Sequence, residues 1–101
     1  MTPEEFDKML DNRLEQIRSV LSSKAKEYAH VGDRLFNFKV AARIHGCTPE
    51  QALWGMAMKH LVSVMDLVEG RLEPTPEMVN EKIGDLVNYL ILLEAVLLED
   101  K

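Results

Sequence analysis

Apolar side chains recur along four stretches of the chain at the spacing of one helix face. In the first stretch, from Phe6 to Leu21, they fall mostly three or four residues apart, which is the period of an amphipathic α-helix. The same spacing returns in residues 35–44, 53–67 and 83–97. No stretch shows the strict alternation of a strand bounded by turn residues. The pattern therefore predicts an all-α fold with four helices.

Cap and turn residues mark where these helices begin and end. Three Thr-Pro pairs place a threonine at the N-cap and a proline at the first helical position, namely Thr2-Pro3, Thr48-Pro49 and Thr75-Pro76. Asp33 is expected to cap the second helix, and Gly46 and Gly70 are expected to end the second and third. The predicted helices cover residues 3–26, 34–45, 49–68 and from 76 nearly to the C-terminus. Their short connections predict a four-helix bundle-like fold.

Length and composition describe a single globular unit. The chain has 101 residues, of which 47% are hydrophobic and 29% charged, so we expect one all-α domain over residues 1–101. A net charge of -5 argues against DNA or RNA as a partner. The N-terminus carries no secretory signal, and the apolar run over residues 86–98 is too short for a membrane span. With Cys47 as the only cysteine, these features predict a cytoplasmic protein that binds no membrane.

The second half of the last predicted helix is apolar on almost every side. Leu90 to Leu93 and Ala95 to Leu98 form two apolar runs around Glu94. A helix that is apolar all round is buried all round, and a domain of this size cannot easily surround one. We therefore expect a homodimer or higher homo-oligomer that assembles through the long C-terminal helix.

Three polar side chains share one stripe of the last helix. Glu81, Asp85 and Asn88 stand at i, i+4 and i+7, which places them on the same face. Grouped carboxylates on a largely apolar helix need a partner, and oxygen ligands of this kind suit Mg²⁺. An array of Lys and Arg would also satisfy them. A solvated stripe without a function is the alternative interpretation.

A similar stripe follows the third helix. Lys59, Ser63 and Asp66 stand at i, i+4 and i+7, with His60 beside Lys59. If the third and fourth helices pack antiparallel with these stripes facing, Asp66 joins the two carboxylates of the last helix, and Lys59 and Lys82 lie nearby. The alternative is a solvated face, and a lone histidine such as His60 is more often packed in a core than bound to a ligand.

The junction of the first two helices carries a third polar group. Lys24 and Tyr28 stand at i and i+4, and Arg34 and Asn37 follow the turn. The planar guanidinium of Arg34 suits a phosphate, and the ring of Tyr28 or Phe38 offers a face on which a base can stack. A turn held by Asp33 and an ion pair of Arg34 is the alternative interpretation.

Taken together, these blocks resemble a known family. They read Lys24-x-x-x-Tyr28, Asp33-Arg34-x-x-Asn37-Phe38, Lys59-His60 with Asp66, and Glu81-Lys82-x-x-Asp85-x-x-Asn88-Tyr89. In this order, over most of the chain, they resemble small phage and prophage proteins of the nucleotide-modification-associated type, which are similar to the MazG-like all-α nucleoside triphosphate pyrophosphohydrolases. The resemblance implies a MazG-like, helical, oligomeric and Mg²⁺-dependent enzyme that releases pyrophosphate from nucleoside triphosphates, in the host cytoplasm if phage-encoded.

The resemblance also implies roles for particular residues. The metal ligands would be Asp66, Glu81 and Asp85, and Lys59 would join them as a catalytic residue. The nucleotide would contact Lys24, Tyr28, Arg34, Asn37, His60, Lys82 and Asn88. The family pattern has glutamates in the region of Lys59 and an acid at Lys82, so less negative charge is available to a metal here. Hydrolysis, nucleotide binding without catalysis, and a purely structural helical protein are the three functions that the sequence leaves open.

Overall fold

Four α-helices form the part of the chain that the computed structural model describes, which is residues 1–27 and 32–99 without the side chains of 24–27. They are α1 (Pro3–Glu27), α2 (Phe36–His45), α3 (Pro49–Val68) and α4 (Pro76–Leu98). No strand occurs in these residues, which confirms the all-α prediction. Three of the four helix starts coincide with the predicted positions.

The threonine caps explain why those three starts were predictable. The Oγ1 atom of Thr2 accepts a hydrogen bond from the backbone N–H of Glu5 at 3.0 Å. Thr48 and Gln51 form a reciprocal capping box, with donor–acceptor distances of 3.3 and 3.0 Å. Thr75 accepts from the N–H of Met78 at 3.2 Å. Each cap satisfies an N–H that has no partner inside the helix, so the local sequence alone fixes the boundary.

The start of α2 differs from the prediction. Its N-cap position is Leu35, which provides no side-chain cap, and Asp33 lies two residues earlier. The Oδ1 atom of Asp33 accepts from the backbone N–H of Leu35 at 2.9 Å, and its Oδ2 accepts from Lys39 Nζ at 2.6 Å. Lys39 also donates to Glu99, just beyond α4. Asp33 therefore holds the turn before α2 instead of capping the helix, and Lys39 joins α2 to the end of α4.

The core lies where α3 packs against both α2 and α4. Its centre is Leu53, the only fully buried large side chain of the described residues, and it clusters with Leu35, Phe38 and Val96. Trp54, the next residue along the helix, is 46% exposed. One residue along a helix is a rotation of roughly 100°. The burial of Leu53 therefore turns Trp54 away from α4.

α1 packs against the rest of the chain through α4. The guanidinium of Arg13 crosses α4 and donates to the backbone carbonyl of Asn80 at 3.1 Å and to its Oδ1 at 3.3 Å. Much of the apolar face of α1 stays exposed, and so do Leu90, Leu97 and Leu98 on α4. Assembly through α4 stays a prediction. None of the described helices is long and apolar enough to cross a membrane.

Candidate functional site

A cleft of about 560 Å³ opens between α2 and α4, beside the second half of α1. Polar groups of Arg34, Asn37, Asp85 and Asn88 line it, together with the ring of Tyr89. The remaining wall is apolar and includes Phe38, Met56 and Leu92. Pockets of this size with an apolar lining and a few polar groups are typical of small-molecule sites.

Helical spacing and packing bring these polar residues together. Arg34 lies in the turn before α2 and Asn37 lies in the first turn of the helix, and both line the cleft. Asp85, Asn88 and Tyr89 stand at i, i+3 and i+4 on α4. Since α2 and α4 both pack against α3, two short polar segments about 50 residues apart in sequence face the same space. Four of the ten residues that the sequence assigned to a nucleotide or its metal, namely Arg34, Asn37, Asp85 and Asn88, therefore share one cleft.

Asn88 carries an unsatisfied buried atom in this wall. Its Oδ1 is inaccessible to solvent and accepts no hydrogen bond within the protein. A buried acceptor without a donor costs about 1–3 kcal/mol, and native proteins keep few of them. An N–H or O–H donor or a cation would satisfy this acceptor.

His60 supports the wall from the side of α3. Its ring stacks on that of Tyr89, with the ring centroids 4.7 Å apart and the planes at 30°. Its Nδ1 lies 3.7 Å from Oδ2 of Asp85. His60 is half-buried and does not line the cleft. This position matches the interpretation of a packed core histidine, which holds two residues of the wall in place.

The predicted stripe of α4 is present and borders a second, smaller cavity. Glu81, Asp85 and Asn88 line a space of about 140 Å³ between α1 and α4. Arg13 lines the same space, and sequence reasoning gave it no role. Gly84 leaves room for the guanidinium of Arg13, because a Cβ atom at residue 84 would lie 2.5 Å from Nη1 of Arg13. A glycine inside an otherwise good helix is a signal of such a close approach.

The structure does not bring Asp66 to these carboxylates. Oδ1 of Asp66 accepts from Nε of Arg71 at 2.7 Å, in the turn that follows α3. Asp66 lies six residues after His60, which is a rotation of roughly 240° around the helix. When His60 faces α4, Asp66 therefore faces elsewhere. Among the residues described, no group of three His, Cys, Asp or Glu side chains is placed to hold a metal ion.

The two lysines also lie apart from the cleft. Lys59 is exposed, and its backbone carbonyl accepts a hydrogen bond from the Ser63 hydroxyl at 3.0 Å. Lys82 Nζ lies 3.9 Å from Oε1 of Glu81, whose side chain is 67% exposed. Neither lysine lines the α2–α4 cleft. Tyr28 and the side chain of Lys24 fall outside the described residues, so their assignment to the nucleotide stays a prediction.

Two ion pairs outside the cleft shift the pKa values of their members. The ammonium of Lys39 and the backbone N–H of Leu35 both donate to Asp33 and lower the pKa of its carboxyl group. Hydrogen bonds to Asp66 and then Glu69 raise the pKa of the Arg71 guanidinium. The second pair holds the carboxylate of Asp66 against Arg71 in the turn after α3.

Comparison of the chain with protein-family models, with curated proteins and with solved structures found no match.

Proposed function

We propose that the protein binds a nucleotide or a nucleotide-like phosphorylated small molecule in the α2–α4 cleft. The observation that carries this proposal is the convergence of Arg34 and Asn37 with Asp85 and Asn88 on one partly apolar cavity. The segments that supply them are remote in sequence, so their meeting is a property of the fold. The resemblance of the same blocks to nucleotide-handling proteins supports the same ligand class.

Each part of the cleft suits one part of a nucleotide. The guanidinium of Arg34 offers paired N–H donors to a phosphate. The apolar wall and the ring of Tyr89 offer a surface for a base. The side-chain amide of Asn88, which lines the cleft, has hydrogen-bonding groups that suit the sugar or the base. A cavity of about 560 Å³ is large enough for one such molecule.

Thermal unfolding in the presence of nucleoside mono-, di- and triphosphates, with and without Mg²⁺, tests this proposal. A ligand present at 100 times its Kd stabilises the folded state by about 2.7 kcal/mol, which raises Tm by roughly 10 °C or more in a domain of this size. We expect Arg34→Ala to abolish most of that shift. Arg43→Ala is the matched control, because Arg43 is an exposed arginine of α2 that does not line the cleft. No shift with any nucleotide, or an equal shift in both variants, would refute binding at this site.

Hydrolysis of a nucleoside triphosphate to monophosphate and pyrophosphate is the second candidate. Glu81 and Asp85 favour it, since they line one small cavity that shares Asp85 and Asn88 with the α2–α4 cleft. The described residues do not form a three-carboxylate site for a resident metal. Mg²⁺ is, however, commonly held by one or two carboxylates together with substrate phosphates. Glu81 and Asp85 would then receive the ion that accompanies the triphosphate.

Product analysis separates hydrolysis from binding alone. If the protein hydrolyses, Asp85→Asn removes Mg²⁺-dependent release of pyrophosphate while the helical content is retained, and Glu94→Gln, an exposed carboxylate of α4, does not. The Asp66→Asn variant shows whether the metal ligands come from α4 of one chain alone or also from Asp66 of another subunit. Full activity in that variant means that the α4 carboxylates suffice, whereas lost activity means that another subunit supplies Asp66. Binding without any released phosphate establishes the non-catalytic function.

A further inference from the structure

The chain exposes far more surface than its mass requires. A compact monomer of 11.5 kDa has an accessible surface of roughly 5,800 Å², whereas this chain exposes 7236 Å². Its radius of gyration is 15.6 Å, against about 13 Å for a compact domain of 101 residues. The excess of about 1,400 Å² exceeds the roughly 800 Å² that one partner buries in a standard protein interface. The molecule therefore has enough uncovered area for a stable dimer.

Much of the uncovered apolar surface lies on α1. α1 carries an apolar stripe, which we call the α1 stripe, consisting of Phe6, Leu10, Leu14, Ile17 and Leu21; its first three members are exposed and its last two are half-buried. Phe6 is 50% exposed, Leu10 41% and Leu14 55%. The last four members are spaced four, three and four residues apart, which is the spacing of a helix that packs against another helix. The stripe adjoins the side that α1 turns to α4, since Arg13 contacts α4 and Ile17 borders the same small cavity between the two helices.

Charge is distributed unevenly along the same helix. Residues 3–12 carry four carboxylates and one lysine, for a net charge of -3, while residues 13–23 carry two arginines and one glutamate, for a net charge of +1. Asp7, Asp11 and Arg18 border the α1 stripe on its solvent side, since each stands three or four residues from a stripe member. An antiparallel copy of this helix would bring the acidic half of one against the basic half of the other.

We propose that a second copy of this chain covers the α1 stripe, so that two α1 helices pack antiparallel about a two-fold axis close to Leu14. A two-fold axis pairs the same surface on both copies, and a stripe centred near Leu14 is complementary to itself under this operation. Arg18 of each copy then lies beside Asp7 and Asp11 of the other. The nucleotide proposal does not require this interface. Phe6, Leu10 and Leu14, the most exposed members of the stripe, do not line the α2–α4 cleft, whereas Leu21 at the end of the stripe does.

Light scattering coupled to size exclusion tests the interface. We expect the wild-type chain to elute as a dimer and Leu14→Glu as a folded monomer with unchanged helical content by circular dichroism. Val62→Glu is the matched control, because Val62 is 52% exposed on α3, and this variant stays dimeric. Leu97→Glu is the variant for the alternative interface on α4. A monomeric wild type, a dimeric Leu14→Glu, or dissociation by Leu97→Glu alone would overturn the proposal.

Cross-linking tests the antiparallel orientation. In a Cys47→Ser background, Leu14→Cys forms a disulfide between copies under oxidation, because residue 14 lies next to the axis. Phe6→Cys does not, since the two copies of residue 6 are separated by roughly 24 Å along the helices. Equal cross-linking of both variants would indicate a parallel pair and overturn the proposed orientation.

Discussion

At Gly84 the guanidinium of Arg13 from α1 lies against the backbone of α4. Alanine there would place Cβ 2.5 Å from Nη1 of Arg13, but that atom is the free end of a flexible side chain and can move away. Alanine also gains about 1 kcal/mol of helix propensity over glycine. We therefore expect Gly84→Ala to leave the free energy of unfolding equal to or higher than that of the wild type, while the hydrogen bonds from Arg13 to Asn80 are lost.

Hydrogen exchange separates these two effects of Gly84→Ala. Protection factors of α1 are expected to fall, while those of α3 and α4 are maintained. Arg13→Ala is the control, because it loosens α1 in the same way without the helix-propensity gain. Undiminished protection of α1 in both variants would show that the Arg13 contact does not hold this helix.

Asp33 and Lys39 give the stability a specific pH dependence. The pKa of Asp33 is lowered in the folded state, chiefly by the hydrogen bond from Lys39. The carboxylate therefore stabilises the folded protein at pH values above its unfolded pKa near 3.9, and this stabilisation is lost as the pH falls through the lower pKa of the folded state. The pKa of Lys39 is raised in the folded state, chiefly by Asp33 and then by Glu99. The ammonium group therefore stabilises the folded protein at pH values below its unfolded pKa of about 10.5, and this stabilisation is lost as the pH rises through the higher pKa of the folded state.

Urea unfolding of Asp33→Asn checks the acid limb. The variant is expected to be less stable than the wild type at pH 7, and the difference is expected to shrink toward pH 2.5. The size is modest, because about a third of each side chain is exposed and solvent screens the pair. Glu94→Gln, on the exposed side of α4, is expected to show no such pH-dependent difference. A constant difference across this range would contradict the assignment.

Among the elements, α3 is the one on which the others depend, since α2 and α4 both pack against it. Thr48→Ala removes the capping box at its first turn and is expected to lower the free energy of unfolding by about 1 kcal/mol. Thr48→Ser keeps the hydroxyl acceptor and is expected to retain most of that energy. Urea denaturation of the two variants measures the difference. Equal losses in both would indicate that the threonine methyl group, and not the cap, matters.

The elements also show what could be predicted from the sequence. Helix boundaries followed from Thr48, Thr75 and Gly46, because caps act within a few residues of their own position. The grouping of Glu81, Asp85 and Asn88 followed from the period of one helix. The position of Asp66 did not, because the face that α3 turns to α4 is decided by the burial of residues such as Leu53 and not by the spacing of its polar residues.

Contacts between distant segments were beyond sequence reasoning for the same reason. Arg13 and Asn80 are 67 residues apart, and no local pattern in either segment specifies the other. The same holds for the meeting of Arg34 with Asn88, which depends on two separate helix packings. The individual blocks were visible in the sequence, but which of them share a cavity became clear only from the fold.

At the scale of the whole molecule, stability is expected to depend on protein concentration. The chain exposes 7236 Å² and buries few large side chains, so association with a second copy, as proposed above, would add to its stability. A partner that binds only the folded state shifts the unfolding equilibrium by mass action. We expect Tm to rise with protein concentration for the wild type and to stay constant for Leu14→Glu. Differential scanning calorimetry over a hundredfold range measures this. A constant Tm for the wild type would argue against a dimer coupled to folding.

The link from Lys39 to Glu99 has a consequence for how a ligand would leave the cleft. α2 has only ten residues, rests on α3 and is held at the end of α4 by this lysine. The cleft lies between α2 and α4, and α2 is the helix with fewer contacts to the rest of the chain. We therefore expect a bound molecule to leave the cleft when α2 moves away from α4. Replacing Lys39 with methionine should then shorten the residence time of a ligand that the side chain itself never touches.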